Sequence, residues 1–312
     1  MTMAAVALEP PAAYAHTTVM RQEVVRWLEP RAHGVYLDCT AGGGGHSEAI
    51  LEASPDARVI ASDCDPTALE ACRARLGRFG GRVTFWQARF DELGERLAAA
   101  GIAALDGLVA DLGVSSAQLD DPGRGFSFRL PGPLDMRLDP GTGETALELV
   151  ARLDAEELAN LIYQYGDERR SRRIARCILQ AERAGELRTT LDLRRAVVRA
   201  VGPRRIGGVD PATRTFQALR IAVNRELDQL RALLAAAPHW VRPEGRVVWL
   251  CFHSLEDRLV KRALLDKTRW ERLNPKPISP SPTEQAHNPR SRSAKLRAAQ
   301  RVSDPAEAPD EG

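Results

Sequence analysis

Four consecutive glycines, Gly42 to Gly45, follow a short apolar run and precede a helix-like stretch that begins at His46 and Ser47. Because glycine has no Cβ, such a turn lets a ligand contact the peptide backbone directly. The N–H groups at the start of the next helix have no partner within that helix and face the same ligand. The succession of strand, glycine turn and helix start predicts a binding site for a small polar cofactor.

The residues around the glycine run distinguish two classes of cofactor. A nicotinamide site needs the pattern G-x-G-x-x-G, and Ser47 stands where its third glycine would lie. Asp38, at the end of the preceding strand, would repel a pyrophosphate but attract a cationic amino acid group. S-adenosylmethionine carries an ammonium and a sulfonium and has no phosphate, so the pattern favours this cofactor. The alternative is a glycine turn that serves only the backbone geometry.

Three more candidate residues follow the predicted ends of later strands. Asp63 is placed to accept hydrogen bonds from both ribose hydroxyls, whereas Asp65 precedes a proline and is predicted to cap a helix. Phe90 would either flank the adenine or pack in the core. Asp111 lies where the methyl-accepting group is expected, because ligands of parallel sheets collect at the carboxyl ends of the strands.

These residues depend on a regular alternation of strands and helices between residues 35 and 112. The pattern predicts a parallel sheet covered on both faces. The predicted strands are Val35–Cys39, Arg58–Ser62, Arg82–Gln87 and Leu105–Ala110, and the helices after the second and third strands are Pro66–Leu76 and Phe90–Ala100.

The alternation stops after residue 112. Residues 113–143 are rich in Gly, Pro and Asp and form a connection long enough to be functional. Helical periodicity without strands then runs from about Thr145 to Val201, which predicts an inserted helical domain. A long helix over Pro211–Ala237 and a strand at Gly245–Phe252 return the chain to the sheet, and Ser293–Val302 is predicted as the last, edge strand.

Composition sets further limits on the class of protein. The hydrophobic content of 44% and charged content of 28% are those of a globular chain, and no apolar run approaches the ~20 residues that cross a bilayer. Glu9 stands where a signal peptide would carry basic residues, and the five cysteines form no metal-binding spacing. We therefore expect a cytoplasmic protein with reduced thiols. Clustered arginines, such as Arg169–Arg173, either bind phosphate or cover a solvated helix face.

Several further motifs, taken with the glycine turn, resemble the RsmH (MraW) family, whose members methylate N4 of a cytidine in small-subunit ribosomal RNA. In chain order, the matching stretches are HTTV at 16–19, D-x-x-x-GGGGHS at 38–47, DLGVSS-x-Q at 111–118, RGFSF at 124–128, GPLDMR at 132–137, PATRTFQALR at 211–220, FHSLEDR at 252–258 and NPRSRS at 288–293. They extend over about residues 16–302. The departures are Cys39, Cys251 and Asp210, which only flank motifs.

The resemblance implies a class I S-adenosylmethionine-dependent methyltransferase, an α/β Rossmann-like sheet with an inserted all-helical domain. We expect the methyltransferase domain to comprise residues 16–135 and 215–302 and the inserted helical domain for substrate recognition to comprise 136–214. From their composition, 1–15 is predicted to be a flexible tail and 303–312 a disordered tail. The resemblance implies cofactor contacts at Gly44, Gly45, His46, Asp63, Phe90, Asp111 and Gln118. Asp38 is a further candidate because of its charge and position. Its implied substrate is a cytidine in the decoding region of 16S rRNA, and its product is S-adenosylhomocysteine. The RNA would be presented within the small ribosomal subunit, and the enzyme could act as a homodimer.

Transfer to the N4 amine requires in-line alignment of amine, methyl and sulfur, and an acceptor for an amine hydrogen would make that nitrogen more nucleophilic. Asp135 and Asp111 are candidates for this acceptor, as are backbone carbonyls after Asp111. His253 would either act as a base or orient its loop through a hydrogen bond, and we favour the second role. No metal is predicted.

The target base must leave its stack to reach the methyl group. Phe126 and Phe128 in the long loop could hold an extruded base or could anchor the loop to the core. Arg137, Arg214 and Arg258 are candidates either for phosphate contacts or for structural ion pairs. Two other functions stay open: a methyltransferase of DNA or of a small molecule, and an RNA-binding assembly factor without catalysis.

Overall fold

The computed structural model describes residues 18–203 and 208–303. The tails predicted at 1–15 and 303–312 lie outside the described residues, apart from Ser303. His16 and Thr17 of the first motif also lie outside them. No helix within the described part is long and apolar enough to cross a membrane.

Seven strands form one sheet in the order β3-β2-β1-β4-β5-β7-β6. The strands are β1 Val35–Asp38, β2 Arg58–Asp63, β3 Val83–Gln87, β4 Leu105–Asp111, β5 Val241–Cys251, β6 Trp270–Arg272 and β7 Lys295–Arg301. The first five are parallel, and β7 and β6 are antiparallel additions. The predicted α/β sheet is therefore confirmed.

Thirteen α-helices occur in the described residues. They are α1 Arg21–Leu28, α2 Gly45–Ala53, α3 Pro66–Leu76, α4 Leu93–Ala99, α5 Ser116–Asp120, α6 Ala146–Arg152, α7 Ala155–Gly166, α8 Ser171–Arg183, α9 Thr190–Val201, α10 Thr213–Asn224, α11 Glu226–Trp240, α12 Ser254–Ala263 and α13 Pro282–His287. Helices α6–α9 follow one another without a strand, as predicted, apart from one isolated bridge between Pro133 and Thr189.

Two predictions about these elements were wrong. The single helix over Pro211–Ala237 is two helices, because Arg225 adopts the left-handed conformation at φ 51° and ends α10. The apolar periodicity continues through this break and gave no sign of it. The last strand, β7, is not an edge strand, since the three-residue β6 lies outside it. The strand β6 lies in a proline-rich segment and is too short to show an alternating pattern.

The core is divided into three clusters. Two of them cover the two faces of the sheet, one around Trp249 and the other around Ile50. The third is formed by α6–α10 and the loop before them. It includes Phe126 and Leu134 on one side of the predicted 136–214 domain and Phe216 and Leu219 on the other, so the packing extends this helical unit beyond the predicted range.

Candidate functional site

A cavity of about 450 Å³ lies at the carboxyl ends of the parallel strands. Its wall is built from the residues that follow β1 to β5, together with parts of α10 and α11. A volume of this size is within the range of small-molecule and cofactor sites. The parallel topology thus brings together side chains that are far apart in the sequence.

The glycine run forms one wall of the cavity. A Cβ built on Gly45 would lie 1.7 Å from Oγ1 of Thr18, so only glycine fits there. Gly44 has φ +82°, and a Cβ on it would approach Sγ of Cys72 at 3.1 Å rather than the cavity. The other three glycines line the cavity, whereas Gly44 lets α2 start close to α3. Gly44 packs toward α3 and does not line the cavity, unlike the cofactor contact implied for it.

Asp38 is fully buried and does not line the cavity. Its carboxylate accepts hydrogen bonds from Ser47 Oγ at 2.7 Å and from the Thr40 N–H at 3.2 Å. Burial raises the pKa of Asp38, against the influence of His46 and Ser47. The expectation that Asp38 attracts the cofactor's cationic group is corrected here, because its carboxylate holds the glycine turn together instead.

Asp63 lies on the cavity wall at the end of β2. One carboxylate oxygen accepts from the Gly42 N–H at 2.8 Å and the other from the Asp65 N–H at 2.9 Å. Burial raises the pKa of Asp63 to about 6, although both hydrogen bonds act to lower it. The side chain is thus fixed by backbone donors, and each oxygen keeps a lone pair for a ligand hydroxyl.

Gln118 lines the cavity and is 7% exposed. Its Nε2 donates to Asp65 Oδ2 at 2.7 Å, and its Oε1 accepts from the Ser115 N–H. Asp65 also caps α3 as predicted, by accepting from the Thr67 N–H at 2.9 Å. Arg124 completes this network through a 2.7 Å ion pair with Asp65. The loop after β4 is therefore tied to the loop after β2, on the cofactor side of the cavity.

Phe90 lines the cavity directly after β3 and also packs against the core cluster around Trp249, so neither of its two predicted roles is excluded. Its neighbour Arg89 donates to the backbone oxygen of Asn224 at 2.8 Å. This contact links the loop after β3 to the end of α10.

His46 and Asp111 meet at the centre of the cavity wall. His46 Nε2 lies 3.4 Å from Asp111 Oδ2, and the Asp111 N–H donates to Thr40 Oγ1 at 2.6 Å. Both ring nitrogens of His46 and Oδ1 of Asp111 are buried without a hydrogen-bond partner among the described residues. Buried polar atoms are costly when they have no partner, so we expect a ligand in the cavity to supply hydrogen bonds to His46 and Asp111.

His253 caps α12 and does not line the cavity, whereas its neighbours Phe252 and Glu256 do. His253 Nε2 lies 3.0 Å from Glu256 Oε1, and Glu256 Oε2 accepts from the Phe252 N–H at 2.8 Å. Burial would raise the pKa of Glu256, but the contacts with His253 and the charge of Arg220 hold it below its usual value. His253 is therefore placed to orient Glu256 rather than to contact a substrate.

Arg220 and Glu226 line the cavity beside Glu256 and form a bidentate ion pair with both distances at 2.8 Å. Burial acts to lower the pKa of Arg220, but the charge of Glu226 raises it. His253, Glu256 and Glu226 have ligand atoms within 4.8 Å of one another. Since Arg220 occupies both oxygens of Glu226, and Glu256 accepts from the Phe252 N–H, these two carboxylates already have partners and do not argue for a metal.

The structure contradicts the placement of Asp135 as a catalytic residue in the cavity. Asp135 is bound by Arg137 through Nε at 2.8 Å and Nη2 at 2.7 Å, and neither residue lines the cavity. Burial would raise the pKa of Asp135, but the hydrogen bonds from Arg137 keep it below its usual value. The structural alternative for Arg137, an ion pair, is the one observed.

The predicted base-stacking residues also lie away from the cavity wall. Phe126 is 6% exposed in the helical cluster, and Phe128 packs edge-on against Phe216 with ring centres 4.8 Å apart. Both are placed as anchors of the loop. Arg214 is exposed and donates to the backbone oxygen of Asp167, and Arg258 is exposed on α12. Only some of the predicted site residues therefore lie on the cavity wall.

The wall residues that were not predicted as site residues include Phe252, Glu256, Arg220 and Glu226. The first two follow a strand at its carboxyl end, which is the signal that identified Asp63 and Asp111. Arg220 and Glu226 meet only because the chain turns at Arg225, so helical periodicity could not pair them.

Comparison with known proteins adds the following similarities. Residues 13–302 match the model of the MraW methylase family. The chain is 63% identical over 287 residues to the ribosomal RNA small subunit methyltransferase H of Sorangium cellulosum, covering 92% of this chain and 91% of that protein. It is 51% identical over 295 residues to the protein of that name from a Cyanothece species, covering 95% and 97%. An rRNA methylase structure from Streptococcus thermophilus covers 91% of this chain and 94% of its own, with 8% identity and a TM-score of 0.42.

Proposed function

The chain belongs to the MraW methylase family and is an S-adenosylmethionine-dependent ribosomal RNA methyltransferase; we propose that it methylates the exocyclic N4 amine of a cytidine in the decoding region of 16S rRNA. The observation that carries the proposal is Oδ1 of Asp111, which is buried and has no hydrogen-bond partner in the part of the chain that the structure describes. An assembled small subunit as the substrate, a homodimer and a cytoplasmic location stay predictions.

The cavity fits S-adenosylmethionine, which when bound supplies a methyl group activated by the sulfonium. Gly42, Gly43 and Gly45 line the cavity and carry no side chain, so a ligand can contact the backbone of this turn. Asp63 offers carboxylate oxygens to the ribose hydroxyls, and Phe90 offers an aromatic face to the adenine. Asp63 and Asp111 place carboxylates on the cavity wall, and their negative charge disfavours a pyrophosphate, which supports this cofactor over a dinucleotide.

Asp111 is the best candidate to accept a hydrogen from the N4 amine. Among the four carboxylates of the described wall, Asp63 holds two backbone N–H groups, Glu226 holds Arg220, and Glu256 holds Phe252 and His253. Only Asp111 has a buried oxygen without a partner in this described set. A carboxylate is the usual acceptor for the cytosine N4 amine, and this bond would stabilise the positive charge that develops during transfer.

Phe252 is the aromatic residue best placed to contact an extruded base. It lines the cavity directly after β5, and a Cβ on Gly113 would lie 3.9 Å from its ring. Phe252 therefore lies next to the chain that follows Asp111. Stacking on an aromatic ring would hold a base beside that carboxylate. This assigns to Phe252 the role first considered for Phe126 and Phe128.

Replacement of Asp111 by Asn tests the proposal. We expect methyl transfer to fall by about 10²-fold or more in kcat, because the charged acceptor is lost. Binding of S-adenosylmethionine, measured by calorimetry, should change much less, since Asn keeps the size and one oxygen. The matched control is Asp56→Asn at an exposed position. Unchanged kcat in the Asp111 variant would contradict the role of Asp111.

The Asp135→Asn variant distinguishes the catalytic role predicted from the sequence from the structural ion pair that is observed. Asp135 is paired with Arg137 outside the cavity, so we expect its loss to lower stability and leave kcat near that of the wild type. A kcat as low as that of Asp111→Asn would restore Asp135 to the mechanism.

The target itself is tested by mapping methylated nucleotides with mass spectrometry. Purified small subunits, naked 16S rRNA and duplex DNA are incubated separately with the protein and a labelled methyl donor. Methylation at cytidine N4 in the decoding region is expected. Label on DNA alone would contradict the proposal, as would the absence of label on every substrate, which would favour an assembly factor without catalysis.

A further inference from the structure

One part of the helical unit carries a large excess of positive charge. Residues 169–199 contain ten arginines and only three acidic residues, whereas the whole chain has a net charge of +2. The rest of the chain is therefore net acidic. A charge separation of this kind creates a local field that attracts an anionic partner.

Helix α8 places its arginines on one face. Ile174 and Ile178 are buried in the helical cluster, and Arg172, Arg173, Arg176 and Arg183 are exposed. At about 100° per residue these four lie in a sector about 100° wide, and they extend over about 16 Å of the helix axis. We call these four residues the α8 arginine surface. Arg199 of α9 lies beside it, because its guanidinium donates to the backbone oxygen of Cys177.

The charges of the α8 arginine surface are not neutralised by nearby acidic side chains of the described residues. None of its four guanidinium groups lies within 4.0 Å of an acidic group among the residues that the structure describes, in contrast to Arg124 and Arg220. Arg172 and Arg173 also lie in the first turn of α8, which contains no acidic residue. Cations at a helix N-terminus oppose the helix dipole, and like charges four residues apart repel each other. The arrangement therefore costs stability unless an anion binds it.

We propose that the α8 arginine surface binds the phosphate backbone of the substrate RNA, away from the cavity where methyl transfer occurs; this rests on the proposed function. Guanidinium groups match the geometry of phosphate oxygens, and a surface about 16 Å long fits several successive phosphates better than one isolated anion. No residue of α8 or α9 lines the cavity. The surface thus contributes to RNA affinity and leaves the chemistry to the cavity.

The test compares two variants that lose the same charge. In the first, Arg172, Arg173, Arg176 and Arg183 are replaced together by Gln, which keeps helix propensity. In the control, four exposed arginines outside the helical unit and without ion pairs among the described residues, Arg31, Arg58, Arg96 and Arg272, are replaced by Gln. Binding is measured by fluorescence anisotropy at several salt concentrations, with a naked decoding-region RNA fragment and with an unrelated RNA of equal length.

We expect the α8 variant to bind both RNAs at least about tenfold more weakly near physiological salt, with the slope of log K against log salt reduced by about 3. Its KM for RNA should rise while kcat at saturating RNA and the affinity for S-adenosylmethionine stay unchanged. The control should keep the wild-type slope. Because phosphate contacts are independent of sequence, the slope with the unrelated RNA tests this surface even if the methylation target is different.

Two results would overturn the proposal. One is an RNA affinity and salt slope of the α8 variant equal to those of the control. The other is normal binding of naked RNA combined with lost methylation of assembled small subunits, which would assign the surface to an acidic protein partner.

Discussion

At the scale of single residues, Asp63 is buried from solvent, yet its proposed contact with the ribose requires the charged carboxylate. In the role proposed for Asp63, the ionised carboxylate would accept from both ribose hydroxyls, and burial raises the pKa of Asp63 to about 6. Protonation therefore removes an acceptor as the pH falls through about 6. We expect the affinity for S-adenosylmethionine to be about tenfold weaker at about pH 5 than at about pH 8.

Calorimetry across this range measures the effect, and Asp63→Asn is the matched control. Asn can still accept from one backbone N–H, but it does not titrate, so its lower affinity should be independent of pH near 6. If the Asn variant keeps the same pH slope, another group of the cavity is responsible and Asp63 is not the titrating contact.

Single residues also show what sequence can and cannot locate in the site. Asp63 and Asp111 could be predicted because a parallel sheet collects the carboxyl ends of its strands. Asp135 was misplaced because Arg137, only two residues away, binds it. Local pairing of this kind depends on side-chain conformation in an irregular loop, which no periodicity describes. The Asp38 carboxylate was in the right loop but faces its interior.

At the scale of elements, the ion pair between Arg124 and Asp65 holds the loop after β4. Asp65 is 1% exposed, and Arg124 also donates to the backbone oxygens of Arg137 and Leu138. Arg124→Met would keep the apolar stem but leave a buried carboxylate without its cation. We expect a loss of about 3 kcal/mol in the free energy of unfolding, measured with urea.

The control for this pair is Arg129→Met, an exposed position in the same loop. Limited proteolysis should cleave the Arg124 variant within residues 121–145 faster than the control. Equal stability and equal cleavage of the two variants would show that the pair does not hold the loop.

The elements differ in how clearly the sequence marks them. Helix α3 matches its predicted range, Pro66–Leu76, because Asp65 and Pro66 form a clear N-terminal signal. The break between α10 and α11 has no such sign, since the left-handed residue is Arg225 rather than glycine. The pairing of Arg220 with Glu226 follows from that break, and so it was also beyond reach of the sequence.

At the scale of the whole molecule, Asn224 joins the helical unit to the sheet domain. It is 5% exposed, its Nδ2 donates to the Met136 backbone oxygen, and its Oδ1 accepts from the Leu138 N–H. Its backbone oxygen accepts from Arg89 of the sheet domain. These contacts lie at the cavity, so we expect the two units to unfold together and ligand binding to stabilise both.

Two spectroscopic probes can distinguish the unfolding of the sheet domain from that of the helical unit. All five tryptophans lie in the sheet domain: Trp27, Trp86, Trp240, Trp249 and Trp270. Tryptophan fluorescence therefore follows this domain, whereas circular dichroism follows the helices of both. For the wild type we expect coincident urea curves, and S-adenosylmethionine at about a hundred times its Kd should add about 2.7 kcal/mol to both.

Arg89→Met should uncouple the curves, because it removes the side-chain bond from the sheet domain to the backbone oxygen of Asn224. The circular dichroism curve is then expected to gain an early phase that S-adenosylmethionine does not shift, while the fluorescence curve still responds to it. Asn160→Ala, at an exposed position on α7, should keep the curves coincident. A wild type with separate curves that respond differently to the ligand would mean that the cavity does not couple the two units.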